Sequence, residues 1–140
     1  MLLTTENPEV QEYIEIRTSS GWGKVDTAAA QKSLQHTLFS VCLRDEGKLL
    51  GLGRIIGDGV LFFFLTEVMI IPEAQGMGFG KRIMNALMDY IKEHAIPSAT
   101  IGVFAGPGKE KFYEKYGFSP CPNEVFGHGM TYLQRINEDT

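Results

Sequence analysis

One segment constrains the fold more than any other. Val60 to Ile71 is β-rich and apolar almost throughout. Pro72 follows and cannot donate to a ladder, so the strand should end there. Next comes Gln75-Gly76-Met77-Gly78-Phe79-Gly80-Lys81-Arg82, then an amphipathic run. In that run Ile83, Leu87 and Ile91 recur at four-residue spacing, with Met84, Met88 and Ala95 beside them, until Pro97. The order strand, glycine loop, helix predicts an anion site, because a helix start carries unpaired N–H groups and a partial positive charge. Glycines there let a ligand approach the backbone closely. Lys81 and Arg82 oppose the dipole at a cost of about 0.3–1 kcal/mol each, a penalty that a bound polyanion reverses. The plainer alternative is a glycine-rich turn with two solvated basic side chains.

Two nucleotide motifs are ruled out by spacing. A Walker loop needs Ser or Thr after its lysine, and Lys81 is followed by Arg82. A dinucleotide fingerprint read from Gly76 needs glycine where Lys81 stands. Gly51, Gly53 and Gly57 lie within a hairpin and have no helix after them.

The remaining elements follow from periodicity. Glu12 to Arg17 places Ile14 and Ile16 on one face and reads as a short strand. Asp26 or Thr27 caps a helix carrying Ala30, Leu34 and Leu38. Phe39–Leu43 and Leu49–Ile56 form a hairpin about Asp45-Glu46-Gly47-Lys48. Ala99–Phe104 is a strand and Lys109–Tyr116 a short helix stopped by Gly117. Phe118–Cys121 and 130–136 are candidate final strands, and the ends, to Glu9 and after Asn137, read as frayed. The pattern is a mixed α/β fold, one sheet with helices on both faces.

With 140 residues the chain is expected to be a single domain over 1–140. Thirteen Lys and Arg against 17 Asp and Glu, a net charge of −4, argue against nucleic acid or an anionic membrane as partner. Two cysteines, Cys42 and Cys121, make neither a disulfide framework nor a metal cluster, so no metal is expected and a reduced, cytoplasmic setting fits. The apolar run Val60–Leu65 is far short of a membrane span, and the N-terminus is too short and acidic for a signal peptide.

Gln75, Gly78 and Gly80 fill the pattern [Q/R]-x-x-G-x-[G/A], and Phe112-Tyr113-Glu114-Lys115-Tyr116-Gly117-Phe118 completes a second segment. Together these resemble the Gcn5-related N-acetyltransferases, the GNAT superfamily. The resemblance implies the GNAT fold, with a mixed sheet of about six to seven strands splayed between the fourth and fifth. It implies acetyl-CoA as co-substrate, its diphosphate on the backbone of Gln75, Gly76, Met77, Gly78, Phe79 and Gly80 beside Lys81. Its pantetheine arm would pair with Met69, Ile70 and Ile71, and a backbone N–H near Val68 to Ile70 would polarise the thioester carbonyl. Tyr113 matches the acid that protonates the departing thiolate, and lies about 100° around its helix from the Phe112–Tyr116 stripe. The alternative for Tyr113 is a packing aromatic.

Glu67 interrupts the apolar strand, so it should face a cavity or a cation. In the family an acid near this position often faces the acceptor amine, as ammonium ligand or base. The alternative is a salt bridge to Arg54 or to a helix. Thr66 should turn to the opposite face unless a bulge intervenes. Gly106 stands where many members carry an Asn that contacts the cofactor. Trp22, between two glycines, is an acceptor-side wall or a core cap, and His128 is a second base or a solvated loop residue. His36 and His94 read as surface residues, and Cys121 has no base nearby.

The implied reaction moves acetyl from acetyl-CoA to a primary amine on a small molecule or peptide, by direct attack in a ternary complex. The acidic balance mildly favours a cationic acceptor such as a polyamine, an aminoglycoside-like amine or a Lys side chain. Family members often form homodimers. The competing readings are a non-catalytic acyl-CoA sensor on the same fold and an interaction domain without CoA.

Overall fold

The computed structural model describes residues 1–134. By its internal packing the chain divides into two compact units, Met1–Phe104 and Ala105–Thr140.

The first unit runs β1 (Leu2–Thr4), α1 (Val10–Ser19), α2 (Thr27–Gln35), β2 (Phe39–Asp45), β3 (Lys48–Gly57) and β4 (Phe62–Ile70). A single 3-10 turn (Pro72–Ala74), α3 (Phe79–His94) and β5 (Thr100–Val103) complete it. The five strands lie side by side in chain order. β1 to β4 pair antiparallel and β5 joins β4 in parallel. This is the expected mixed sheet, with five strands among the described residues where six or seven were anticipated.

Register sorts the two faces. Gly51 and Gly53 lie under α3, where an added Cβ would come within 2.7 Å of Ile83 Cδ1 and 2.9 Å of Leu87 Cδ1 respectively. The missing side chains let the helix sit close on the sheet. Cys42 pairs with Leu52 and Leu52 with Met69, and these residues pack on the other face with Tyr13 and Ile16 of α1 and Ala30 and Leu34 of α2. Asp26 caps α2 by accepting from the Ala29 N–H at 3.0 Å, as expected.

Three expectations are corrected. Glu12–Arg17 is helical, because the Glu12 carboxylate accepts from the Glu9 N–H at 2.9 Å and the buried residues are Tyr13 and Ile16, spaced i, i+3. Leu2–Thr4 is not frayed but pairs with Cys42–Arg44 of β2. Neither Phe118–Cys121 nor residues 130–134 form a strand. Pro120 and Pro122 lack the N–H a ladder needs, and Met130, Tyr132 and Leu133 are exposed. Residues 135 and 136 of that last expected strand lie outside the described residues.

The second unit contains α4 (Glu110–Glu114). Its aromatics pack edge to face: Phe112 against Tyr113 and Tyr116, and Tyr113 against Phe118. Gly117, at φ +95°, closes the helix with its N–H on the Glu114 carbonyl at 3.1 Å.

Candidate active site

The sheet opens in the middle of β4. β5 pairs with Phe62 to Leu65 and stops there. β3 continues along β4 to Ile70, and the Ile71 N–H still donates to the Leu50 carbonyl at 2.9 Å. From Thr66 onward, one edge of β4 therefore has no strand beside it among the described residues. Main-chain groups alternate in direction along a strand. Because Ile71 points its N–H at β3, Ile70 turns its own N–H and C=O to the open edge, and Met69 and Ile71 do not. The Ile70 carbonyl accepts from the Gln75 side-chain amide at 3.1 Å. This bond ties the glycine loop to the end of the strand.

Gly76 (φ +78°) and Gly78 (φ +82°) are both left-handed, and nothing lies within 4 Å of where either Cβ would be. Gly78 is the N-cap of α3 and offers no side chain to its amides, and the first turn holds no acid. Gln75, Met77, Lys81 and Arg82 are exposed. Phe79 is half-buried and packs on the α1/α2 core, so its side chain anchors the helix start and leaves only its amide for a ligand. Open space, uncapped N–H donors and two adjacent cations fit a diphosphate.

Glu67 sits at an irregularity in β4: Leu52 to Arg54 of β3 oppose Thr66 to Met69, one residue more on the bulged strand. Glu67 itself has φ +57°. That outlier reverses the expected alternation. Arg54 stands opposite Thr66, yet it is the Glu67 carboxylate that turns to Arg54. Arg54 Nη1 donates to Glu67 Oε1 at 2.5 Å, and the Tyr13 hydroxyl donates to Oε2 at 2.5 Å. Arg17 Nη1 also donates to Oε2. Glu67 and Arg54 are 4% and 3% exposed. Arg54 is fixed further by the Thr37 hydroxyl at 2.9 Å and the Ser33 carbonyl at 3.1 Å. Burial, then the hydrogen bond to Glu67, push the Tyr13 phenol above its ordinary range. Both Glu67 oxygens are thus engaged by this chain's own cations, the salt-bridge alternative among the sequence expectations.

Trp22 is 47% exposed with its ring over the Arg17 guanidinium, 5.6 Å from ring centroid to carbon, so it does not cap the core. Sequence reasoning missed Tyr13 and Arg17 because their segment read as a strand. The usable signal was their i, i+4 spacing on a helix.

In the second unit, Tyr113 is half-buried and burial raises its phenol above the ordinary value. His128 and Gly106 are exposed. Among the described residues no group of His, Cys, Asp or Glu is arranged to hold a metal, and no helix is long and apolar enough to cross a membrane.

Residues 9–134 match the family model described as an acetyltransferase (GNAT) domain. An uncharacterized N-acetyltransferase of Porphyra purpurea is 30% identical over 130 residues, 90% of this chain and 74% of that protein. A probable acetyltransferase of unknown function from meticillin-resistant Staphylococcus aureus superposes with a TM-score of 0.84 at 32% identity, covering 94% of this chain and 98% of that one. An AAC(6')-Iy structure holding the bisubstrate analogue CoA-S-monomethyl-acetylneamine has the same fold, with a TM-score of 0.65 at 16% identity over 96% of this chain and 98% of that one.

Proposed function

Because the chain belongs to the GNAT acetyltransferases, we propose that it transfers an acetyl group from acetyl-CoA to the primary amine of an acceptor. The observation that carries this reading is the open edge of β4 running into an uncapped, glycine-flanked helix start. Bound acetyl-CoA supplies the acyl group as a thioester, so that a C–N bond forms, the C–S bond breaks, the amine nitrogen releases one proton to water and the thiolate takes one.

The chain's residues divide that work. The amides of Gly76 to Gly80 and the charge of Lys81 hold the diphosphate. Ile70 offers its N–H on the open edge to the pantetheine arm. A main-chain N–H between Val68 and Ile70 stabilises the carbonyl oxygen as charge develops there. Tyr113 donates the proton to the leaving thiolate, and its raised pKa keeps the phenol protonated through the neutral range. Glu67 does not take the amine's proton in this reading. It positions Arg17 and Arg54 and fixes the bulge beside the acyl site. Trp22 forms a wall on the acceptor side.

A thermal-shift titration with acetyl-CoA, followed by thiol release over a panel of amines, tests the proposal. Saturable stabilisation and amine-dependent release are expected, with kcat lowered about 100-fold in Tyr113→Phe. No shift at millimolar acetyl-CoA overturns it. A shift without release from any amine favours a sensor on this fold.

A further inference from the structure

The cluster around Glu67 is not electrically balanced. It holds two guanidiniums, Arg17 and Arg54, one carboxylate, and one phenol that burial keeps neutral. The formal sum is one positive charge. Among the described residues the only other pairing of an arginine with an acid in this unit is Arg44 with Glu12, so no second carboxylate reaches either guanidinium.

The surplus is localised on Arg17. Arg54 has Glu67 on Nη1, Thr37 on Nε and Nη2, and Ser33 on Nη2. Arg17 uses Nη1 for Glu67, while its Nη2 reaches only the Trp22 carbonyl at 3.5 Å, the limit of a hydrogen bond. Its Nε is sealed from solvent and has no partner. A buried donor without an acceptor marks a missing partner. Nε–H and Nη2–H lie on one edge of the planar guanidinium, the edge that takes a carboxylate through two parallel bonds.

The rings of Trp22 and Tyr13 both lie against this guanidinium, 5.6 and 5.8 Å from centroid to carbon. Trp22 stands between Gly21 (φ +78°) and Gly23 (φ +85°), neither with any atom within 4 Å of a Cβ position. The Arg17 side chain as a whole remains 18% exposed, and its guanidinium is held on Glu67 at the bulge of β4.

Resting on the acetyl-transfer reading, we propose that the acceptor is an amine that also carries a carboxylate, and that Arg17 is the residue that selects it. This departs from the cationic acceptor that net charge alone favours. A local surplus buried beside the site outweighs a diffuse, screened surface charge.

Matched pairs test it: L-phenylalanine against phenethylamine, and γ-aminobutyrate against butylamine, assayed for acetyl-CoA-dependent thiol release. In the wild type the carboxylate member is expected to have at least tenfold higher kcat/KM. In Arg17→Gln that ratio should collapse towards one, whatever the change in overall rate. Trp22 is the chain's single tryptophan, so its fluorescence reports binding at Arg17 without turnover. Titration with 3-phenylpropionate should change it in the wild type and fail to do so in Arg17→Gln. Equal or better use of the plain amines, or a preference that survives Arg17→Gln, overturns the proposal. If no amine reacts, the fluorescence titration decides alone: no response to the carboxylate in the wild type overturns it. Loss of acetyl-CoA binding is a separate result and sinks the acetyl-transfer reading instead.

Discussion

Glu67 and Arg54 meet across two antiparallel strands only because the glutamate adopts φ +57° at the bulge in β4. With ordinary strand geometry the carboxylate would point to the α3 face, into Ile83 and Leu87. The strained backbone therefore brings a buried acid to one buried and one half-buried arginine.

Removing Glu67 leaves two guanidiniums without their counter-charge. Glu67→Ala should lower unfolding stability by about 3–5 kcal/mol in urea titration. Arg54→Met should cost less, because Arg17 still balances the Glu67 carboxylate. The double variant should lose clearly less than the sum, since deleting Arg54 with Glu67 removes the more deeply buried of the two stranded cations. Additive losses would show that the pair is not coupled.

Gly78 separates conformation from ligand space. Gly78→Ala should cost about 1–2 kcal/mol for its left-handed φ. Gly78→Asn should cost less, since Asn tolerates that region. Both add a side chain over the amides, so both should reduce the acetyl-CoA-induced Tm shift. An Asn variant with normal ligand response would contradict the proposed diphosphate cradle.

Charge reversal on the first turn of α3 should act in opposite directions on stability and binding. Lys81→Glu and Arg82→Glu place an acid at an exposed helix start, and each should stabilise the free protein by about 0.3–1 kcal/mol. Each should also weaken acetyl-CoA, most at low salt. Denaturation with and without ligand measures both signs in one series.

Burial pushes the Cys42 thiol up to about 11, while its Sγ–H donates to the Glu6 carbonyl at 3.3 Å. The folded state binds this proton more tightly than the unfolded chain does. Its contribution is therefore complete below about pH 8.5 and is lost as pH rises towards the folded value, by up to about 2–3 kcal/mol. Tyr13, also raised, adds a loss at still higher pH. Stability compared near neutrality and above about pH 10 should fall in the wild type, and by less in Cys42→Ala.

Much of this architecture was readable from residue order. Pro72, the glycines and the four-residue spacing of Ile83, Leu87 and Ile91 placed the end of β4 and all of α3, because each signal is local. The Glu12–Arg17 segment misled because Ile14 and Ile16 imitate strand alternation, whereas Tyr13 and Ile16 are the buried pair. The role of Glu67 was open for a different reason. Nothing in the neighbouring sequence says that a glutamate will take a positive φ, and its partners Tyr13 and Arg17 lie about 50 residues away. β1 went unseen because three residues carry too little periodicity to register.

The bare stretch of β4 has a consequence for solubility during synthesis and storage. An unpaired row of amides and carbonyls invites strands from other molecules, and uncontrolled growth along such a rim leads to precipitation. Here the unpaired row is only a few residues long, and the carboxamide of Gln75 already occupies the Ile70 oxygen at its end. The same side chain that steadies the loop thus blunts a template for self-association.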